Sequence, residues 1–176
     1  RPLNYCLAAS INPAAANLMN AIGVNRTVDF AKQCGITSKI PPYPSIALGS
    51  ADISLIEMVG AYSMFPAGGM NTKPIYISRI EDRNGNVLES FTTSHKEVIN
   101  ESDAYIMTRM MQGVVDFGTG RSLRGTYGIN SEVAGKTGTT NSNADGWFIG
   151  FTPQLLGGAW VGADDPILRI SNNYVG

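Results

Sequence analysis

Ala134-Gly135-Lys136-Thr137-Gly138-Thr139-Thr140 sets one cation, three hydroxyls and two glycines in seven consecutive residues. The stretch from Val133 to Thr139 reads as a strand, on which alternate residues share a face, so Thr137 and Thr139 point the same way. Gly138 between them has no side chain and leaves room for a ligand backbone. Lys136 supplies positive charge to an anionic ligand. The same residues also suit an edge strand with a solvated lysine, so Lys136-Thr137-Gly138 alone decides no chemistry.

Downstream, Gly146–Phe151 and Leu155–Val161 read as further strands, the last broken at Gly157-Gly158. Links of about four residues permit only antiparallel neighbours, because a parallel crossover needs a dozen or more. Upstream, a helix runs from about Ser102 to Val115, with Met107, Met110, Met111 and Val114 recurring on one face as a core stripe. Gly118-Thr119-Gly120 breaks it. A hairpin is expected from Ile75–Ile80, a two-residue Asn84-Gly85 turn and Val87-Leu88. Short helices precede it. Asn12 caps one that has Pro13 first and Gly23 past its end, and Asn25 caps another that stops before Gly35. Pro41-Pro42-Tyr43-Pro44 is held extended. Ser54 and Glu57 have capping-box spacing ahead of Met58, Val59 and Tyr62, and Pro66 and Gly68-Gly69 end that helix. The expected fold is α/β of the α+β type. It has one partial domain over residues 1–176, mainly helical with a hairpin to about residue 130, then an antiparallel sheet from residue 131.

Composition narrows the function classes. Of 176 residues, 43% are hydrophobic and 15% charged, which supports a packed core rather than a disordered tail. A net charge of −1 with scattered Lys and Arg gives no basic stripe for nucleic acid. The cysteines Cys6 and Cys34 and the single His95 do not make a zinc set. Both cysteines read as small buried hydrophobes, with a Cys6–Cys34 disulfide permitted outside the cytosol. No run approaches the roughly 18 apolar residues of a membrane span. There is no signal peptide, and the start at Arg1-Pro2-Leu3 without Met fits a piece of something longer.

Ser10-Ile11-Asn12 stands at a helix start, where local capping explains it equally well. Ser171-Asn172-Asn173 repeats the pattern with no helix to open. Taken with Lys136-Thr137-Gly138, however, Ser10-Ile11-Asn12 resembles the second and third of three ordered motifs, Ser-x-x-Lys, Ser-x-Asn and Lys-Thr-Gly, of the penicillin-binding and serine β-lactamase superfamily. Leu7–Asn12, Pro44–Gly49, Gly60–Phe65, Gly113-Val114-Val115 with Gly118-Thr119-Gly120, Gly135–Thr140, and Trp160-Val161-Gly162 with Asp164-Asp165 look like segments of the transpeptidase domain of class A penicillin-binding proteins. No serine here is followed three residues later by lysine, so the nucleophile motif is expected upstream of this chain.

The resemblance implies a peptidoglycan transpeptidase that acts through a serine acyl-enzyme on D-Ala-D-Ala stem peptides and binds β-lactams, with no cofactor or metal. It implies catalytic roles for Ser10, Asn12 and Lys136, and substrate binding by Thr137, Gly138 and Thr139. Thr139 N–H would be one oxyanion donor. It further implies an upstream glycosyltransferase and anchor, and a place on the outer face of the bacterial cytoplasmic membrane. A β-lactamase-like hydrolase and a non-catalytic binding domain share the motifs. Class A likeness, and the lack of a recognisable deacylating glutamate motif, weigh against the hydrolase. This chain alone is expected to be inactive, and to self-associate or to keep a separate chain from the same parent in place.

Overall fold

The computed structural model describes residues 1–140, 143–163, 165 and 167–170. Asp164 and the Ser171-Asn172-Asn173 repeat lie outside the described residues. Among the described residues six α-helices occur in chain order: α1 (Leu3–Ala8), α2 (Asn12–Ile22), α3 (Val24–Gln33), α4 (Leu55–Tyr62), α5 (Glu101–Asp116) and α6 (Ser122–Gly125). The strands are β1 (Met70–Thr72), β2 (Arg79–Glu81), β3 (Val87–Ser90), β4 (His95–Glu97), β5 (Ala134–Thr139), β6 (Asp145–Phe151) and β7 (Leu156–Gly162). Among the described residues every strand pairing is antiparallel: β1 with β4, β2 with β3, and a three-stranded sheet in the order β5-β6-β7. This mixture of helices and antiparallel sheets is the α+β architecture expected from the sequence.

Several local expectations change. Asn12 does not cap α2. Ser10 turns the chain at φ 53, Ile11 takes the cap position, and Asn12 is already helical with Pro13 behind it. Asn25 caps nothing either. Gly23, at φ 95, ends α2 and opens α3 by itself, a backbone state that only glycine adopts cheaply. Tyr43 is extended, but Pro44 opens a short 3-10 turn to Leu48. The hairpin turns through Asp82–Asn86 rather than two residues. The Asp82 carboxylate accepts from the N–H groups of Asn84 (2.8 Å) and Asn86 (2.9 Å) and organises the loop. Ile75, Tyr76 and Ile77 stay outside the strand, 43%, 82% and 55% exposed. β7 runs unbroken through Gly157-Gly158, where Gly158 lies under Val59 and Leu55 of α4. Cys6 and Cys34 are free thiols. Cys34 is buried beside Met64, and burial pushes its pKa up to about 11.

Two apolar clusters hold these elements. Cys34, Ile36, Ala61 and Met64 join α3 to α4. Met111, Ala134 and Phe151, with Leu7, Tyr62 and Phe65, join α5 to the sheet and to α1 and α4. Phe65 stacks on Phe151 at 6.3 Å and meets Tyr62 edge-on at 5.5 Å. On the sheet's far face the Phe148 ring lies over both Gly135 and Gly150.

The capping box at α4 forms as expected and reaches further. The Glu57 carboxylate accepts from Ser54, and also from the N–H and hydroxyl groups of Thr37 and Ser38. It thereby ties the loop after α3 to the start of α4. These donors, the Ser38 hydroxyl foremost, hold the carboxyl far below the usual carboxylate range. A carboxyl lowered on folding contributes stability above its unfolded pKa of about 4.3, and that contribution fades as pH falls below it. Glu57→Ala is therefore expected to cost about 1–2 kcal/mol at neutral pH, through the lost cap and loop bonds. Urea titration across pH 3–7 should show the gap between the two proteins closing below about pH 4.

Candidate active site

Ser10 stands on a sharp turn between α1 and α2. Its N–H bonds Leu7 O at 3.1 Å, and the Ile11 N–H bonds Cys6 O at 2.9 Å. A non-glycine residue at φ 53 is held there by its surroundings. Ala8, wholly buried, anchors the turn where α1 packs on α5.

Lys136 reaches this turn from the sheet. Its Nζ donates to Ser10 Oγ at 2.8 Å and to Thr137 O at 2.9 Å. The side chain shares a small cavity with Leu7, Tyr62, Phe65, Met107 and Met111. No carboxylate ion-pairs with it among the described residues. Burial lowers its pKa from the usual lysine value. The same effect raises half-buried Tyr62 to about 12.

Backbone alternation decides which groups of β5 face its open edge. Thr140 N–H donates to Asp145 O at 3.2 Å, so Thr140, Gly138 and Lys136 direct their backbone groups at β6. Thr137 and Thr139 direct N–H and C=O the other way, to an edge with no partner strand among the described residues. The bond from Lys136 Nζ to Thr137 O agrees with this. Side chains divide differently. Lys136 and Gly138 share a face with Trp147 and Ile149, while Thr137 and Thr139 lie on the opposite face.

The remaining residues are placed as follows. Asn12 is exposed in the first turn of α2 and makes no side-chain hydrogen bond among the described residues. Thr139 is exposed at the strand end. Gly138 is set by its neighbour as much as by any ligand, since a Cβ there would come within 3.2 Å of Trp147 Cβ. The Thr137 hydroxyl pairs with Thr119 Oγ1 at 2.5 Å. An open groove of about 770 Å³ runs between α3, α4 and the sheet, lined by Lys136, Thr139, Tyr62, Trp147 and Trp160 among others. Sequence reading missed Thr119 and Tyr62. Gly118-Thr119-Gly120 reads from sequence as a helix break and a family-like segment, and Tyr62 as a position on the helix after the capping box, with no site role for either.

The arrangement is a hydroxyl touched by a desolvated cation, beside a strand edge with free amides. It can accept an extended peptide and move protons at Ser10. The chain belongs to the penicillin-binding protein transpeptidase domain family, whose model matches residues 2–163. It is 38% identical over 162 residues to penicillin-binding protein 1A of Aquifex aeolicus (strain VF5), an alignment covering 92% of this chain and 22% of that protein. It is 39% identical over 169 residues to penicillin-binding protein 2D of Bacillus subtilis (strain 168), covering 92% of this chain and 24% of that one. The chain thus spans under a quarter of the length of these curated relatives. Penicillin-binding protein 1A from Haemophilus influenzae shares the fold at TM-score 0.87 and 23% identity, over 97% of this chain and 31% of that one. The PonA1 protein from Mycobacterium tuberculosis, solved in complex with penicillin V, matches at TM-score 0.82 and 26% identity, over 96% of this chain and 49% of that one.

A desolvated lysine without a counter-charge works against folding, and an apolar residue of similar length relieves that cost. Lys136→Met should melt at the same temperature as the unsubstituted chain or higher. A calorimetric drop of several degrees would show that the bond to Ser10 outweighs the desolvation.

Proposed function

We propose that this chain supplies the second and third motifs of a D-Ala-D-Ala transpeptidase, and that a Ser-x-x-Lys segment elsewhere in the same polypeptide supplies the nucleophile. The observation that carries the reading is the 2.8 Å contact from Lys136 Nζ to Ser10 Oγ beside the open edge of β5. A serine hydroxyl in contact with a lysine of lowered pKa is suited to passing a proton to a leaving amine. Asn12 and the backbone of Thr137 would hold the stem peptide as an added strand. The Thr139 N–H, which faces the open edge, would be one of two donors to the oxyanion. Such a donor typically contributes about 2.7–4 kcal/mol to the transition state. The hydroxyls of Thr137 and Thr139 would bind the terminal carboxylate. The nucleophile's helix would fill the groove between α4 and the sheet.

The reaction runs in two steps. The serine oxygen attacks the penultimate D-Ala carbonyl, the C–N bond breaks, and free D-Ala leaves with a proton delivered through Ser10. An amine of a second stem peptide then attacks the ester, releasing the serine and forming the cross-link. β-Lactams enter the same first step. Acting on peptidoglycan, the enzyme would work at the outer face of the cytoplasmic membrane. No helix among the described residues is long and apolar enough to cross a membrane.

Incubation with a fluorescent penicillin, read by intact mass, tests this. The full-length polypeptide should take up one equivalent on an upstream serine, and Ser10→Ala in that protein should slow the uptake by about 10²-fold or more. This chain alone should take up none and should self-associate through its uncovered groove. A stoichiometric adduct on Ser10 would overturn the assignment of the nucleophile.

A further inference from the structure

Thr119 lies between the two halves of the site, and the chemistry above uses none of its groups. Its N–H donates to Ala8 O at 3.0 Å, two residues before Ser10. Its hydroxyl lies 2.5 Å from Thr137 Oγ1, one residue after Lys136. Gly118 makes the approach possible, because a Cβ there would strike the Ala8 carbonyl oxygen. A ring of contacts results. Thr119 holds Ala8, the chain runs on to Ser10, Ser10 meets Lys136, and Lys136 bonds the Thr137 carbonyl. The Thr137 hydroxyl returns to Thr119 and closes it. Three segments distant in sequence meet there, and Thr119 is the member that touches both the turn and the strand.

We propose that Thr119 is a positioning residue for acyl transfer: it sets the spacing between the Ser10 turn and β5 and aims the Thr137 hydroxyl. This rests on the transpeptidase reading above. Either hydroxyl can donate within the pair. When Thr119 donates, the hydrogen of Thr137 is free to meet a ligand anion, and the accepted bond polarises it into a stronger donor. The backbone bond to Ala8 survives any side-chain change except proline, so the hydroxyl can be tested separately from the close approach of the loop.

The test measures the rate constant for acylation of the full-length polypeptide by penicillin. Thr119→Val keeps the branched shape and removes the hydroxyl. It should acylate about tenfold to a hundredfold more slowly, the range expected when reacting groups are displaced by a fraction of an ångström to one ångström. Thr119→Ser, which restores the hydroxyl alone, should recover most of the rate. Thr137→Val should show a similar loss, and the double variant should be no slower than the slower single one, because two hydroxyls acting as one unit are not additive. Equal losses in Thr119→Val and Thr119→Ser would assign the effect to the methyl group and overturn the proposal, as would additive losses in the double variant. If Thr119→Val does not fold, Thr119→Ala takes its place: acylation slower than in Thr119→Ser by about tenfold or more supports the role of the hydroxyl, and equal rates overturn it. An unsubstituted protein that takes up no penicillin would sink the transpeptidase reading and this one with it. Parent-like acylation by Thr119→Val would sink only the role of Thr119.

Discussion

One hydrogen bond joins residues 126 positions apart, from Lys136 Nζ to Ser10 Oγ, and the surrounding elements bring its two ends together. On one side, α1 must pack on α5 with Ala8 fully buried, so that the chain can reverse at Ser10. On the other, β5 must lie against α5 in the register that turns Lys136 to the helices and Thr139 N–H to the open edge. The cluster of Met111, Ala134 and Phe151 serves both requirements, since α5 is common to them. A residue in an unfavourable backbone state, next to a charge taken out of water, persists only because the packing around it leaves no alternative.

The local energetics run against stability at this point and with it elsewhere. Lys136 loses hydration without gaining a carboxylate, and Ser10 adopts a conformation normally left to glycine or asparagine. Glu57, by contrast, collects donors from the loop after α3 and from a helix start. A site that accumulates unfavourable terms within a scaffold that accumulates favourable ones matches the general trade between activity and stability.

How much of this could be read from the sequence depended on the range of the signal. The Ser54–Glu57 capping box is local, three residues apart, and it formed as written. The strands around Lys136 carried their own β pattern. The Met stripe of α5 marked a core helix, with Met111 and Val114 buried. Asn12 and Asn25 have good capping side chains, yet Ser10 and Gly23 turned the backbone first, so tertiary context displaced propensity. The pairing of Met70–Thr72 with His95–Glu97 left no pattern, because three-residue strands are too short for alternation to stand out. The role of Thr119 left no signal for another reason: its two contacts, with Ala8 and Thr137, are set by the fold alone.

The ring of Phe148, lying across the far face of the sheet, touches glycines on its own strand and on β5, and the two are constrained differently. At Gly150 an added Cβ would meet chiefly the ring, with Ala134 O beyond it at 3.4 Å. At Gly135 the Ile149 carbonyl also stands in the way, at 2.6 Å. Position 150 can therefore accept a side chain once position 148 carries something smaller, whereas position 135 cannot. Among descendants of this sequence, 148 and 150 form a pair in which the order of substitutions matters, while 135 stays glycine whichever path the pair follows.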